Sequence, residues 1–432
     1  MKILIENGHL IDPASGFNAM ADLAIADTKV VSIGQVSSDF HPDRRIDASH
    51  CLVIPGLVDA CARLGEPGHA HEGMLESELA AAVAGGVTSV VCMPDTQPVL
   101  DEPGLVDMLK FRAERLHLAK VFPLGALTRG LLGETLSPMV ELTQAGCVGF
   151  TQAEHTVQNT QGLQRAMQYA ASFGFCVWLR PQDGFLGQGV VASGALATRM
   201  GLSGVSVAAE TIALHTFIDL MRITGTRVHI SKLSSAAGVE LVRAAKAEGL
   251  PLTCDVSIHN LHFTDADMGY FDTRARLTPP LRQQRDREAL RQGLADGTID
   301  VLVSDHTPVE GDAKALPFAQ AEPGATALEL LLSASLKWAA QSHVDITRAV
   351  EVITSAPAAL LGQAGLGRLQ VGGYADVCVL DPQASWQVLP ENLRSHSKHT
   401  PFAFDLSGSE MMAQVKATLV NGHVAYQAPD ML

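Results

Sequence analysis

From about residue 57 the sequence repeats one pattern: a short apolar run, a loop, then an amphipathic stretch. The apolar runs are "LVDACARL", "TSVVCMP", "KVFPLGAL", "CVGFTQ", "FCVWLRP", "RVHISKLSS", "PLTCDVSIH" and "IDVLVSDH". Between them lie "ESELAAAVAGG", "GLQRAMQYAASFG", "AAETIALHTFIDLMRITG", "AAGVELVRAAKAEG" and "DREALRQGLADG", several closing on the Gly that a helix C-cap favours. Runs this short, bounded by turn residues, read as buried strands, and the longer periodic stretches read as helices covering them. Eight such strands over about 280 residues predict an α/β chain built as a (β/α)₈ TIM barrel, with a doubly wound sheet as the alternative.

The ends of the chain follow a different rule. "KILIENGHLID", "ADLAIADTKVVSIG" and "RRIDASHCLVIPG" at the start, and "GRLQVGGYADVCVLD" and "MMAQVKATLVNGHVAY" at the end, alternate apolar and polar residues around Gly turns. We expect residues 1–54 and 363–432 to form one small flanking β-sandwich, with residues 55–362 as the barrel. Composition narrows the partners. A net charge of −15 without any basic run argues against nucleic acid and against a membrane surface. No apolar run is long enough for a membrane span, and "MKILIENGHLID" has no signal-peptide pattern, so a cytoplasmic protein is expected. Seven scattered cysteines form no CxxC motif and no disulfide framework, and most sit in apolar runs as free buried thiols would.

In such a barrel, chemistry belongs at the C-terminal ends of the strands. Two side chains at i and i+2 of a strand share a face, which is how a His-x-His pair can hold one metal. Here the first barrel strand presents Cys61-x-Arg63. A Cys61 thiolate could ligate a metal, but Arg63 on the same face sets a permanent cation beside it.

The segments "IPGLVDACARLGEPG", "AAAVAGGVTSVVCMPDTQPV", "VHISKLSSAAGVELVRAAKAEGLPLTCDVSIHNLHFTD", "TPPLR", "DGTIDVLVSDHTP" and "GRLQVGGYADVCVLDP" occur in the order, and over nearly the full length, of a dihydroorotase. The chain thus resembles the dihydroorotases of the cyclic amidohydrolase superfamily. That resemblance implies an amidohydrolase-type TIM barrel, a flanking β-sandwich, a zinc site, and interconversion of carbamoyl aspartate and dihydroorotate.

Carried over position by position, the resemblance leaves little of that site. The His pair of strand one falls on Cys61 and Arg63, and the anionic metal bridge of strand four falls near Gln152, beside Thr151. The strand-five His falls on Arg180 and the strand-six His on Lys232. Only the strand-eight acid survives, as Asp305. The substrate-gripping Arg corresponds to Gly65 and the Asn of the "CMPN" motif to Asp95; two further contacts correspond to Thr278 and Val309. We therefore expect no catalytic residue beyond a vestigial Asp305, no bound metal and no cofactor. The expectation is that Arg63, Arg180 and Lys232 pair with Asp305 and neighbouring acids, or hold an anion, and so fill the old pocket.

The histidines have plain readings. His69 and His71 follow a Glu-Pro-Gly turn and read as an exposed polar loop. His229, three residues before Lys232, reads as packed on the opposite face. His259 reads as a hydrogen-bonded structural residue, and His306 as facing away from Asp305. The function implied is that of a catalytically inactive dihydroorotase homologue. Such chains are non-catalytic subunits of bacterial aspartate carbamoyltransferase, so the expected partner is that enzyme's catalytic chain in a large hetero-oligomer, with self-association. The alternative is an active zinc-dependent cyclic amidohydrolase with one relocated metal, held by Cys61, His259, Asp305 and His69 or His71.

Overall fold

The structure is a computed structural model, and it describes residues 1–403 and 409–429. Eight parallel strands make the barrel wall: Leu57–Ala62, Val87–Cys92, a third strand broken at Leu124 (Lys120–Pro123, then Gly125–Ala126), Phe150–Thr151, Cys176–Leu179, Arg227–Ile230, Leu252–Ser257 and Val301–Val303. Strand eight meets strand one through the parallel bridge of His306 with Ala62, and this closes the barrel. The sequence periodicity located all eight strands; the fourth is shorter than "CVGFTQ" suggests, with only two residues in register.

Two apolar layers hold the barrel. Inside the wall lie Val58, Ala60, Cys61, Val91, Leu124, Trp178, Val301 and Val303, all buried. Outside it, the helices press Leu79, Val106, Met167, Leu214, Val242, Leu290 and Trp338 onto the opposite strand faces. A strand buried on both faces must be apolar throughout, which is why these segments read as continuous runs. Helix boundaries have local causes: Ser206 and Ser235 accept from Ala208 N and Gly238 N at two starts, and Gly225 ends the Val207–Thr224 helix in the left-handed conformation.

The two chain ends combine as expected, but as a single hydrogen-bonded sheet. Lys2–Asp12, Phe17–Ala26, Lys29–Gly34, Arg44–Asp47 and Leu52–Pro55 join Val377–Gln387, Glu410–Val420 and His423–Gln427 in eight strands. The strand pairing that joins the ends is Leu52–Pro55, antiparallel to Val377–Leu380, with a bridge of Lys29 to Tyr374 beside it. A register shift between Ile5 and Gly8 bends the first strand, so that its first half pairs Arg44–Asp47 and its second half pairs Leu52–Pro55. That bend lets one sheet enclose its own core of Ile3, Ile5, Leu23, Ile25, Val53, Val377 and Leu419.

Two features were not anticipated. Between strand five and the next long helix the chain makes an excursion in which Val191–Ala192 pairs Gly204–Val205 across the short helix Ala195–Met200. After strand seven it turns at Ser257 directly into the helix Ile258–His262, which moves His259 off the strand. No helix among the described residues is long and apolar enough to cross a membrane.

Candidate functional site

The C-terminal ends of the strands surround a cavity of about 280 Å³ lined by Arg63, Gly65, Asp95, Glu154, Lys232, Thr278, Asp305 and Thr307, with His69, Glu72 and Glu322 toward the rim. That volume is at the small end for a ligand pocket. Several strand ends carry strained backbone: Ala153, Lys232 and Asp305 have φ of 49°, 59° and 55°, a region non-glycine residues enter at a cost. These turns swing side chains inward that a straight strand would direct elsewhere.

At the centre is Glu154, which the sequence reading missed. Its Oε2 accepts from Arg180 Nη1, and its Oε1 accepts from Lys232 Nζ and, at 3.4 Å, from Arg63 Nη2. The Lys232 ammonium also donates to Asp305 Oδ1 at 3.1 Å and to the Thr278 carbonyl at 3.0 Å. Arg63 completes its set on Asp95 Oδ2, at 3.0 Å from Nε and 2.7 Å from Nη2, and on Thr307 Oγ1 at 3.0 Å. Arg180 gives its other terminal nitrogen to Gln182 Oε1. Arg63, Arg180 and Lys232 thus face Asp95, Glu154 and Asp305, three cations against three carboxylates.

The protonation states follow from this network. Burial alone would raise the Glu154 carboxyl, but Arg180, Lys232 and Arg63 hold it well below the usual carboxylate range. Burial would neutralise Lys232, yet Asp305 and Glu154 hold its pKa above the ordinary lysine value, so it stays charged. Asp305 is shifted upward, by burial and by the Glu154 charge, against the pull of Lys232.

Three other expected positions are Cys61, Gln152 and Gly65. Cys61 is buried in the barrel core with Sγ 4.0 Å from Asp305 Oδ1; burial and the Asp305 charge push its thiol well up, away from the thiolate a metal needs. Gln152 is buried, its Oε1 accepting from Thr128 Oγ1 at 3.0 Å, while its Nε2 has no partner among the described residues. Gly65 stands at φ 72° and packs so closely on the Gly73 carbonyl that a β-carbon would overlap it. Position 65 therefore cannot carry an arginine in this loop conformation.

These donors do not suit a zinc ion. The acid that survives at strand eight is capped by an ammonium, the sulfur is a protonated thiol, and the remaining carboxylate already serves three cations. A divalent ion placed there would meet Arg63, Arg180 and Lys232 at close range.

The histidines divide. His229 is buried, with Nε2 2.8 Å from Asp255 Oδ2 and Nδ1 2.9 Å from Thr253 Oγ1, a packed and satisfied residue. His306 faces away from Asp305: Ala327 N donates to its Nδ1 at 3.0 Å, which leaves the proton on Nε2, 2.9 Å from buried Glu78 Oε2. His259 corrects the expectation of a hydrogen-bonded role. Neither ring nitrogen has a partner among the described residues, its ring centroid is 6.0 Å from that of Phe402, and burial pushes its pKa down to about 3. His69 and His71 lie in the expected loop, but Glu72 Oε1 is 3.6 Å from a ring nitrogen of each. Among the described residues, His69, His71 and Glu72 are also the one group of three metal-capable side chains whose ligand atoms come within 4.8 Å of one another. The ligand set of Cys61, His259, Asp305 and a loop histidine is not brought together.

Known proteins resemble this chain along its whole length. Residues 50–237 match the family described as "Dihydro-orotase-like", and residues 192–425 match the "Amidohydrolase family". The chain is 40% identical to a dihydroorotase-like protein of Pseudomonas aeruginosa, over 99% of this chain and 100% of that one. It is 37% identical to a dihydroorotase of Syntrophotalea carbinolica over the full length of both. Among solved structures, the L-hydantoinase (dihydropyrimidinase) of Arthrobacter aurescens matches with a TM-score of 0.86 at 25% identity, covering 98% of this chain and 95% of that one.

Proposed function

The chain belongs to the amidohydrolase family, in its dihydroorotase-like branch, and from that premise we propose that it is a non-catalytic member: a structural subunit that supports the assembly of aspartate carbamoyltransferase in pyrimidine synthesis. One observation carries the non-catalytic part. Glu154 and Asp305, the acids nearest the place where metal-assisted hydrolysis would occur, are bound by Lys232, Arg180 and Arg63. Such hydrolysis needs a metal to lower the pKa of a water and a free carboxylate to move its proton. With cations where the resemblance implies ligands, a metal is disfavoured, and Asp305 is tied to Lys232 instead of being free to move a proton.

The assembly role rests on the resemblance to non-catalytic chains of this kind, and the partner is the carbamoyltransferase catalytic chain in a hetero-oligomer. A barrel with its apolar layers kept and its strand-end chemistry replaced fits a protein whose outer surface is the part in use. The second reading, an active cyclic amidohydrolase with a relocated single metal, is favoured by full-length relatives that are named dihydroorotase. It has to find its ligands outside the strand ends.

Both readings meet in one experiment. The untagged chain is mixed with the aspartate carbamoyltransferase of its own host, followed by size-exclusion chromatography, carbamoyltransferase assay and dihydroorotate hydrolysis with added zinc. Co-elution with a gain in carbamoyltransferase activity, and no hydrolysis above background, is expected. Hydrolysis that is abolished by Asp305→Asn would overturn the non-catalytic reading, and failure to co-elute would overturn the assembly role.

A further inference from the structure

We propose that His69, His71 and Glu72 form an exchangeable binding site for a divalent transition-metal cation of the imidazole-preferring class, on the rim of the barrel pocket and separate from the strand-end ion pairs. Three observations converge on it.

The first is ligand chemistry and spacing. Two imidazoles and a carboxylate are a ligand set that Zn²⁺, Co²⁺ and Ni²⁺ accept, whereas Mg²⁺ and Ca²⁺ prefer all-oxygen sites. A tetrahedral ion with bonds of about 2.0–2.1 Å holds its ligand atoms about 3.3 Å apart. Glu72 Oε1 is 3.6 Å from His69 Nδ1 and 3.6 Å from His71 Nε2, and all three ligand atoms fall within 4.8 Å of one another. Closing that triangle requires only a small side-chain rotation, which exposed His71 is free to make.

The second is the rigidity of the loop that carries them. His69 N donates to Gly65 O at 2.6 Å, and Glu72 N to His69 O at 3.0 Å. Gly65 packs on the Gly73 carbonyl, and Gly68 packs on the backbone of Gln97, whose N donates to Pro67 O at 3.0 Å. At the base, Glu66 accepts from Leu75 N at 3.3 Å and pairs with Arg112 on the helix Pro103–Leu116. The three ligands therefore project from a turn that is already folded, and binding has little ordering to oppose it.

The third is charge. The inner six groups of the pocket cancel, while the rim adds the carboxylates of Glu72 and Glu322. Among the described residues, Glu72 forms no ion pair with a lysine or arginine; the two imidazoles lie beside it, and the charges of Glu322 and, more weakly, Arg63 also reach it. Arg63, the cation that could have claimed it, is spent on Asp95, Thr307 and Glu154. A divalent ion thus enters a net negative rim. Three protein ligands leave at least one coordination position for water or for an oxygen ligand.

The test uses untagged protein, stripped with chelator and titrated with Co²⁺ and Zn²⁺ by calorimetry, with the visible absorption of Co²⁺ reporting nitrogen ligation. One equivalent is expected to bind. His69→Ala and Glu72→Gln should each weaken it more than about tenfold, because even outer-shell partners of a metal are worth about 10–100-fold. Asp305→Asn should leave it unchanged, which separates this site from the strand ends and from the question of catalysis. Absence of stoichiometric binding, binding that survives His69→Ala with Glu72→Gln, or binding lost in Asp305→Asn would overturn the proposal.

Discussion

Replacing Glu154 with Gln tests whether the strand-end ion pairs hold one another in place. Without this carboxylate Arg63 keeps Asp95 and Lys232 keeps Asp305, but Arg180 retains only the amide oxygen of Gln182. The Arg180 side chain is 8% exposed, so the substitution leaves a nearly buried guanidinium without a counter-charge. Breaking a buried pair costs about 3–5 kcal/mol; Glu154 itself is 29% exposed and Gln keeps an acceptor, so the lower end, about 3 kcal/mol, applies. With an unfolding entropy near 2.1 cal/mol/K per residue over a chain of 432 residues, that lowers Tm by about 3 °C. Removing the stranded cation as well, in Glu154→Gln with Arg180→Met, should recover most of the loss, since an apolar replacement of a buried pair is often neutral. The folded-state pKa of Glu154 is depressed, so its contribution is complete above about pH 5 and disappears as pH falls through the acid range. The gap between wild type and Glu154→Gln should accordingly be constant above pH 5 and close in stronger acid. Scanning calorimetry from pH 3 to 8 reads both effects. A shift below about 1 °C at pH 7, or a double variant less stable than the single one, would refute the reasoning.

Two further substitutions probe the frame of the site. Asp59 is fully buried in the first barrel strand and accepts from Ser304 N, Ser304 Oγ and Cys61 N, yet burial outweighs these bonds and raises its pKa to about 6. The folded state then holds a proton that the unfolded chain releases near pH 4, so stability should fall as pH rises from about 4 to 6, by at most about 3 kcal/mol; Asp59→Asn should flatten that slope in urea titrations, and parallel profiles would contradict it. Gly65→Arg, which supplies the arginine that the dihydroorotase resemblance implies at this position, should destabilise by at least about 2 kcal/mol, because a side chain there needs both a left-handed backbone and the space held by the Gly73 carbonyl; an unchanged thermal midpoint would show that the loop moves freely.

The barrel was legible because each strand buries both faces and each helix buries one, so burial writes its period directly into the sequence. Strand-end positions such as Arg63, Arg180, Lys232 and Asp305 were legible through motif order. Glu154 was not, and the reason is local. Motif order points to Gln152 as the site residue of "GFTQAEH", but the strand stops at Thr151 and Ala153 turns the chain at φ 49°, so the residue that lines the cavity is Glu154, past the strand's end. The one available signal was that Glu154 is the only acid in that run. His259 was misplaced for a similar reason, since the turn at Ser257 starts a helix where an extended strand was expected. The grouping of Glu72 with His69 and His71 depends on a folded turn, and residue spacing alone carries no such information.

The sheet shared by the two ends of the chain bears on how the protein is made. Strand Leu52–Pro55 leaves the ribosome well before Val377–Leu380, roughly 320 residues later in the chain, which completes one of its edges. At a synthesis rate of about 5–20 residues per second, that edge waits between roughly 15 s and 1 min for its partner. For that interval a four-residue apolar strand offers unpaired backbone groups to any neighbouring chain on the same polysome. Its shortness limits the hazard, and slowing translation of the last 60 or so residues should increase aggregation of the nascent chain far more than slowing the first 60.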